Sequence, residues 1–574
     1  MRATRFLALA VALTAAMPTT MKIPTIMQLC FMGRDGDQCR KIGPDGPWQG
    51  LQIFLGNASG ENLFQGGESW VEMFPTLDTF SAIAPTSNRI PAYDPNKSSS
   101  ARLLHGWSAG DLGNPSESVR GNNSVLIDSF VFHTNLGSDA LSVSRSSALN
   151  LTFLRSIEWN STLPNNQSYS PEFGLLSLAE RSFMQPGILQ QLKWGGEIGS
   201  ASFGLHIGSA ALKQPMSLVF GGYEQNRALG DVAVFDDYSL GASCLLSGLT
   251  LGVAKGGSPF NDSDIRESRP LSVWQGVGTS QKGQQAASAL GASHGSAVIF
   301  PNPGTSLIHL PPGNCEAIAK YLPVTFSKDL QLYTWNTKDS QFKHIVDSPA
   351  YIGFVFSDRT AKKVTINVPF KLLNLTLDKP IVQEPVQYFP CVSHDSPNGV
   401  WTLGRAFLQG AFLAIHQDQN LLYLAQAPGP DMDQRVVQAL AENDTVVHTN
   451  LADTFDTTWG STWNVLDAPV ENNGKNNTAE STPEEASHGL ARGAIAGIVI
   501  GVVAGLAFVV VLAFLYMRRG SQRKAEALAS RQEENKKGDG HAGHELSSGH
   551  LAHELPVPRI PQEAPGPETR LELG

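Results

Sequence analysis

Short apolar runs recur along residues 45–427, and Gly, Pro, Asn or Asp separates each run from the next. The clearest runs are LQIFLG, SVLIDSFVF, SLVFGGY, SAVIF, VTINVPF and LLYLAQA. Apolar runs of this length between turn-forming residues are typical of β-strands. Residues 186–193 and 314–321 instead predict short helices. The pattern therefore predicts an all-β fold over 45–427.

Both ends of the chain carry apolar patterns of a different kind. Residues 1–16 place Arg2 and Arg5 before an apolar run that ends in small residues, which is the layout of a secretory signal peptide. A short buried N-terminal helix is the alternative interpretation. Residues 493–517 carry no charge and are long enough to cross a bilayer as a helix. Basic residues follow at once, so we expect a single-pass membrane protein with its N-terminus outside and its C-terminus in the cytosol.

Three features accompany the predicted membrane helix. Its glycines recur every four residues, a spacing that permits homodimerisation through a Gly-xxx-Gly face but is also ordinary for membrane helices. Residues 428–490 are rich in Gly, Pro and acidic residues, which predicts a solvated, glycosylated stalk. Residues 518–574 lack a core-forming pattern, which predicts a disordered cytosolic tail. The glycines are Gly493, Gly497, Gly501 and Gly505.

Composition narrows the range of partners. Hydrophobic residues make up 41% of the 574 residues, charged residues 16%, and the net charge is −10. A nucleic-acid partner is not expected, because phosphate binding needs a basic surface. The tail histidines fit no zinc-ligand spacing, so we expect no metal and no cofactor. These histidines are His541, His544, His550 and His553.

Ten Asn-x-Ser/Thr sequons all precede residue 493, and none follows residue 517. This one-sided distribution is expected of a glycoprotein whose N-terminal part enters the secretory pathway. The cell surface and the vacuole both remain open as its location. The sequon asparagines are Asn57, Asn96, Asn122, Asn150, Asn160, Asn166, Asn261, Asn374, Asn443 and Asn476.

Five further segments occur in order along about 380 residues. They are YDPNKSSSA (93–101), FGLLSLA (173–179), SLVFGGY (217–223), FPNPGTSLIHLP (300–311) and VWTLGRAFLQGAFLAIHQDQNLLYLAQA (400–427). Together they resemble pepsin-like aspartic proteases, in particular membrane-anchored fungal members. The resemblance implies a bilobal fold with an N-terminal lobe over 45–237 and a C-terminal lobe over 238–427. It also implies a disulfide between Cys315 and Cys391. Cys30 and Cys39 are close enough in sequence to pair, and Cys244 is then left over.

The family mechanism uses two Asp carboxylates, one from each lobe, that share a proton and activate a water. No Asp-Thr-Gly or Asp-Ser-Gly occurs anywhere in the chain. In the C-terminal lobe, Asn302 stands where the resemblance places the Asp, and an amide cannot accept the proton of the water. Pro303 replaces the Thr and deletes a backbone N–H. Gly304 and Thr305 retain the family pattern.

The N-terminal lobe allows two registers. One places Pro75-Thr76-Leu77 over Asp-Thr-Gly, and the other places Asp78-Thr79-Phe80 there. The second retains a carboxylate but puts a bulky residue where only Gly leaves room, and a turn or edge-strand role for Asp78 is the alternative. Ser177 occupies the Gly position of the hydrophobic–hydrophobic–Gly element. No Tyr occurs between Tyr93 and Tyr169 for the flap of the family.

These departures favour a membrane-anchored glycoprotein of aspartic-protease fold that binds or senses a peptide or glycan without cleaving it. An acid endopeptidase with a non-standard site, in which Asp78 activates the water, remains the alternative. Function has to be inferred from the site, because one fold supports many activities.

Overall fold

A computed structural model provides the coordinates of the chain. The structure describes residues 43–55, 70–78, 81–83, 94–98, 100–108, 117–120, 122–135, 141–144, 150–155, 158–169, 171, 173–182, 185–236, 243–262, 265–267, 269–278, 280–289, 295–432 and 436–467. All of them belong to one compact unit.

Strands dominate the first half of the described chain. They are β1 Leu51–Leu55, β2 Trp70–Thr76, β3 Ser81–Ile83, β4 Arg102–Ser108, β5 Glu117–Arg120, β6 Asn122–Asn135, β7 Leu141–Ser144, β8 Asn150–Arg155, β9 Glu158–Thr162, β10 Ser168–Tyr169, β11 Gly174–Ser177, β12 Arg181–Ser182, β13 Gln185–Pro186, β14 Ser202–His206, β15 Ser217–Phe220, β16 Gly222–Glu224 and β17 Leu229–Asp236. One α-helix, α1 Ile188–Trp194, interrupts them.

The second half continues this pattern. Its strands are β18 Cys244–Val253, β19 Leu271–Ser272, β20 Ala297–Pro301, β21 Ile308–Leu310, β22 Val324–Ser327, β23 Leu332–Trp335, β24 Ala350–Ser357, β25 Lys363–Pro369, β26 Leu375–Leu377, β27 Val386–Phe389, β28 Cys391–Ser393, β29 Val400–Leu403, β30 Ala411–His416, β31 Leu421–Gln426 and β32 Val437–Ala439. Its helices are α2 Gln281–Ala289, α3 Asn314–Ala319, α4 Ser340–Val346 and α5 Arg405–Leu408. The predicted β-rich fold is confirmed, each quoted apolar run contains a strand, and α1 and α3 lie where helices are predicted.

One group of four strands organises the first large sheet. Strand β11 lies between β2 and β3, parallel to β2 and antiparallel to β3, and β3 in turn runs parallel to β8. The chain therefore leaves β2, turns into β3, and later returns through β11 to fill the space between them. This arrangement holds residues 77 and 78, the described part of the β2–β3 turn, against the end of β11.

The second large sheet repeats the same arrangement. Strand β29 lies between β20 and β21, parallel to the first and antiparallel to the second, and β21 runs parallel to β28. The order and directions of β20, β29, β21 and β28 thus reproduce those of β2, β11, β3 and β8. The β20–β21 turn, residues 302–307, is the counterpart of the β2–β3 turn.

A five-stranded sheet joins segments that are distant in sequence. Its order is β15-β14-β30-β31-β17, so two strands that follow residue 410 pair with strands that precede residue 237. All residues of β14, β15, β30 and β31 are buried. This sheet is the structural link between the two halves of the predicted core.

The second half of the chain contains one disulfide and one free cysteine among its described residues. Cys315 on α3 and Cys391 on β28 form a disulfide across a sequence separation of 76 residues. Cys244, at the start of β18, is a buried free thiol, and burial raises its pKa. Cys30 and Cys39 lie outside the described residues.

The prediction of a solvated stalk over 428–490 is wrong for the part that the structure describes. Strand β32 pairs with β16, and Trp459 and Trp463 are buried and stacked with their ring centroids 5.3 Å apart. Leu440 and Val447 are also buried. The acidic composition obscured these widely spaced apolar residues, whose burial holds the segment against the core. Residues 468–490 lie outside the described part.

The sequon asparagines differ in exposure. Asn122, Asn150 and Asn160 lie on strands β6, β8 and β9. Asn374 is partly buried, and its side-chain oxygen has no hydrogen-bond partner. Asn57 and Asn476 lie outside the described residues. The exposed ones are Asn96, Asn166, Asn261 and Asn443.

Three further predictions concern the two ends of the chain. The signal peptide over 1–16, the membrane helix over 493–517 and the tail over 518–574 all lie outside the described residues. Among the helices within 43–467 that the structure describes, none combines the length and apolarity needed to cross a bilayer.

Candidate functional site

The two counterpart turns meet at a pair of polar side chains. The amide nitrogen Nδ2 of Asn302, which follows β20, donates a hydrogen bond of 3.1 Å to Oδ2 of Asp78, which follows β2. Asn302 is 1% exposed, whereas Asp78 is partly exposed. The structure thus brings together two residues that the sequence analysis identified in separate lobes.

Backbone donors fix the orientation of the Asn302 amide. Its oxygen Oδ1 accepts hydrogen bonds from the N–H of Leu77 at 3.1 Å and of Gly304 at 3.0 Å. The nitrogen therefore faces the carboxylate of Asp78. A carboxylate in place of this amide would keep the two backbone donors but would face a second carboxylate.

Thr76 completes the cluster and is fully buried. Its Oγ1 lies 2.7 Å from Oδ2 of Asp78 and 3.0 Å from Oδ1 of Asn302, and it accepts a hydrogen bond of 3.2 Å from the N–H of Asp78. A hydroxyl has one proton, and a carboxylate is the stronger acceptor. Thr76 and Asn302 therefore both donate to Asp78, an arrangement that stabilises its negative charge.

Strand register identifies which residues of the two turns correspond. Pro75 pairs with Leu176 in the first sheet, and Pro301 pairs with Leu403 in the second. The next residues, Thr76 and Asn302, are therefore equivalent. This match differs from both registers considered in the sequence, because the equivalent position is occupied neither by Pro75 nor by Asp78.

Hydrogen bonds to the central strands support the same match. The N–H of Ser177 donates to Oγ of Ser81 at 2.9 Å, and the N–H of Gly404 donates to the carbonyl of Leu307 at 2.9 Å. Ser81 follows Thr76 at the same spacing at which Leu307 follows Asn302. Ser177 therefore corresponds to Gly404.

Two glycines permit close packing at the site, Gly304 between the two turns and Gly404 between the second turn and the end of β29. A Cβ on Gly304 would lie 2.5 Å from Oγ1 of Thr76, and a Cβ on Gly404 would lie 2.6 Å from the carbonyl oxygens of Thr305 and Leu307. Both distances are below van der Waals contact. The site therefore requires these glycines for their lack of a side chain rather than for any chemistry.

Arg405 lies beneath the second turn and is 2% exposed. Its Nη1 donates to the carbonyls of Pro303 and Gly304, both at 2.9 Å. Its guanidinium lies 4.0 Å from the ring centroid of Phe74 and 5.0 Å from that of Trp48, within cation–π range. Arg405 thus connects the second turn to the aromatic residues of the first sheet.

Pro303 and Thr305 shape the turn without entering its chemistry. Oγ1 of Thr305 donates to the carbonyl of Asn302 at 3.2 Å, and the N–H of Thr305 approaches the same carbonyl at 3.3 Å. Pro303 has no N–H to donate. Thr305 therefore stabilises the backbone on which Asn302 is presented, and the carbonyl of Pro303 accepts a hydrogen bond from Arg405.

A carboxylate held by an amide and a hydroxyl differs chemically from a pair of carboxylates. Two carboxylates at this separation share one proton, so one acts as base while the other acts as acid. The Asn302 amide is neither protonated nor deprotonated at ordinary pH, so it can act neither as the base nor as the acid. The cluster can therefore accept hydrogen bonds through Asp78, but it provides no paired acid and base.

Asp78 does not belong to a cluster of potential metal ligands among the described residues. Within the part of the chain that the structure describes, no group of three or more His, Cys, Asp or Glu side chains is arranged to hold a metal ion. Thr76 and Asn302 already donate hydrogen bonds to the carboxylate.

Sequence reasoning placed Thr76 only at the Thr position of the motif, and it did not identify Arg405 as a site residue. A local repeat contains the signal for Thr76, since Phe74-Pro75-Thr76 and Phe300-Pro301-Asn302 occupy the same place in the two sheets. No comparable pattern marks Arg405, because its contacts come from residues that are distant in sequence.

Comparison with protein-family models finds no match for this chain, and comparison with curated protein sequences finds no relative. The assignment of function therefore depends on the duplicated topology and on the geometry of the site.

Proposed function

We propose that this protein is a membrane-anchored, pepsin-like glycoprotein that binds a peptide without cleaving it. The observation that carries the proposal is the pairing of Asp78 with Asn302, together with Thr76 in the position equivalent to Asn302. The two equivalent positions thus hold a hydroxyl and an amide. Among the described residues of this hydrogen-bonded group, the carboxylate is that of Asp78, two residues beyond the first of them.

The repeated four-strand arrangement supports a pepsin-like bilobal fold. In each half, a strand returns to lie between two strands that a short turn connects, and the two turns meet. Such a duplication places one polar turn from each half at a common point. This is the arrangement that the resemblance implies for a two-lobed protease ancestor.

The chemistry of the site supports a binding role. Peptide hydrolysis by two carboxylates needs a base that accepts a proton from water and an acid that protonates the carbonyl oxygen. Asn302 fulfils neither requirement. A partly exposed carboxylate beside a buried amide remains suited to accept hydrogen bonds from the N–H groups of an extended peptide.

The sequence supports the remaining parts of the proposal. The apolar segment 493–517, the predicted signal peptide and the ten sequons together favour a type I single-pass glycoprotein at the cell surface or in the vacuolar membrane. The Gly-xxx-Gly spacing supports a homodimer within the membrane.

Retention of Asp78 in the site is the observation that favours an acid endopeptidase. In this alternative function, Asp78 acts as the sole general base on a water, and its contacts with Thr76 and Asn302 hold it in place. Replacement of Asp78 separates the two functions, because only the endopeptidase needs its basicity.

The test uses the full chain, produced with its glycans in a eukaryotic secretory host and purified in detergent. A mixture of random decapeptides is incubated with wild type, Asp78→Asn and the exposed control Asp329→Asn between pH 3 and 7. We expect peptides to be retained intact by wild type and by the control, and to be retained less by Asp78→Asn. Cleavage that Asp78→Asn abolishes and the control preserves would establish the endopeptidase instead. Retention only of glycan-bearing probes would identify a glycan receptor and refute the peptide proposal.

A further inference from the structure

A small pocket opens between β18, β24 and the segment that follows β32. Its volume is about 250 Å³, and neither Asp78 nor Asn302 lines it. Sites that enclose drug-sized ligands have volumes of roughly 300–1,000 Å³, so this pocket suits a single side chain or a small molecule. The lining residues that determine its chemistry are Val253, Glu267, Tyr351, Phe455 and Asp456.

Two aromatic rings form one part of the pocket wall. Tyr351, on β24, and Phe455 meet edge to face, with ring centroids 6.3 Å apart and an interplanar angle of 89°. Phe455 also packs against Trp463, with a centroid separation of 5.4 Å. An aromatic face attracts a cation and covers the apolar stem that carries it.

The hydroxyl of Tyr351 has no partner within the described part of the chain. The residue is 8% exposed, and no hydrogen bond joins its hydroxyl to another described residue. Its oxygen is not sealed from solvent. The ring lies over Gly252, where a Cβ would come within 2.5 Å of the hydroxyl oxygen. Burial raises the pKa of Tyr351, and the charge of Asp456 adds to the shift. The hydroxyl therefore remains protonated at the pocket wall and is available to a ligand.

Two carboxylates give the pocket a negative potential. Asp456 does not cap the 3₁₀-helix Thr457–Trp459 that it precedes, and no described residue forms an ion pair with it. Oε2 of Glu267 accepts a hydrogen bond of 3.3 Å from the N–H of Gly256. The pKa of Asp456 is raised, first by partial burial and then by the charge of Glu267, and Lys255 opposes the shift less strongly. A positive charge in the pocket is therefore favoured.

We propose that this pocket binds a primary alkylammonium group, of the kind that a lysine side chain carries. An ammonium has three donors, and Asp456, Glu267 and the Tyr351 hydroxyl supply acceptors. The methylene stem packs against Phe455 and Val253. A metal ion fits less well, because no group of three His, Cys, Asp or Glu side chains among the described residues could hold one. The site is independent of the proposed peptide binding at Asp78.

The test measures binding of three small molecules to the full chain in detergent by titration calorimetry. Nα-acetyl-lysine N-methylamide carries the ammonium, and Nα-acetyl-norleucine N-methylamide has the same stem without it. We expect the norleucine compound to bind at least about fivefold more weakly, and added salt to weaken only the lysine compound. The third molecule, n-butylammonium, identifies the source of the group. Tighter binding of the lysine compound indicates a peptide lysine, and equal binding indicates a free amine.

Variants of opposite expected sign test the role of the charges. Asp456→Asn retains the shape of the side chain but removes its charge, so it should lower the affinity for the lysine compound at least about fivefold. Lys255→Gln removes the opposing positive charge and should raise that affinity. Asp329→Asn, at an exposed carboxylate outside the pocket, should leave it unchanged. Equal affinity of wild type for the lysine and norleucine compounds, or an affinity that Asp456→Asn does not change, would overturn the proposal.

Discussion

The side-chain amide of Asn302 donates to the carboxylate of Asp78 across 3.1 Å, although 224 residues separate them in the chain. Thr76, in the position equivalent to Asn302, donates to the same oxygen of that carboxylate. One negative charge therefore lies where a pair of carboxylates would share a proton. The local chemistry is that of an acceptor for hydrogen bonds.

Asn302→Asp should destabilise the protein at neutral pH. The introduced carboxylate would lie about 3 Å from Asp78 at a position that is 1% exposed, and the loss should be about 3 kcal/mol. Because the pair would retain a proton more readily in the folded state, the loss relative to wild type should shrink as the pH falls. Denaturant unfolding at pH 7 and pH 4 measures both effects.

The matched comparison is Asn302→Asp combined with Asp78→Asn. This double variant moves the single carboxylate to the other side of the contact, so most of the loss at pH 7 should disappear. A loss that persists undiminished would show that the repulsion does not arise from Asp78.

Arg405→Met should destabilise the protein by about 3 kcal/mol. The change removes the donor to the carbonyls of Pro303 and Gly304 and the cation–π contact with Phe74. Arg359→Met is the control, because Arg359 is exposed and makes only a surface ion pair with Asp236. Denaturant midpoints of the two variants within experimental error of each other would contradict the role of Arg405.

His206 should make the protein less stable in acid. Complete burial, with the adjacent positive charge of Arg227 as a second cause, lowers the pKa of His206 to about 3. Between pH 6.5 and about 3 the unfolded chain therefore binds a proton that the folded chain cannot. This contribution to stability is complete above pH 6.5 and is lost at about 1.4 kcal/mol per pH unit as the pH falls toward 3.

Variants at two histidines measure this slope. His206→Gln can still donate to the carbonyl of Gln409 and cannot be protonated, so its unfolding free energy should fall less steeply between pH 6.5 and 4.5 than that of wild type. His344→Gln, at an exposed position, should retain the wild-type slope. Arg227 and its ion-pair partner Glu224 are present in all three proteins. Identical slopes in all three would contradict the assignment.

Loss of the Cys315–Cys391 disulfide should cost about 4 kcal/mol, because the bond closes a loop of 76 residues in the unfolded chain. The double variant Cys315→Ala, Cys391→Ala is compared with wild type by thermal unfolding without reductant. Cys30 and Cys39 are replaced by Ala in every protein compared, and Cys244 forms no disulfide, so the otherwise wild-type protein with reductant should approach the midpoint of the double variant. A midpoint unchanged by both treatments would show that the bond contributes nothing.

Much of the fold was predictable because its strands are short apolar runs between turn residues. LLYLAQA, for example, contains the fully buried strand β31. The segment after residue 428 was mispredicted, because its buried residues are scattered in an acidic sequence without a period. Trp459 and Trp463 stack on each other, and the ring of Trp459 also packs against Gly429, which lies much earlier in the chain.

The site was only partly predictable. Asn302 was identified from its local sequence, and the contact with Asp78 depends on two turns that meet only in the folded protein. The equivalence of Thr76 to Asn302 follows from strand pairing, which sequence spacing alone left undecided between two other registers. The role of Arg405 could not be predicted from the sequence, because its aromatic and carbonyl neighbours come together only in the folded protein.

Peptide cleavage by the purified full-length protein between pH 3 and 7 tests the central claim most directly. Wild type and Asp78→Asn are assayed with the same peptide mixture, and products are counted by mass spectrometry. The proposal predicts that neither protein cleaves above the level of a buffer control. Cleavage by wild type that Asp78→Asn abolishes would contradict it and would establish an enzyme with a single catalytic carboxylate.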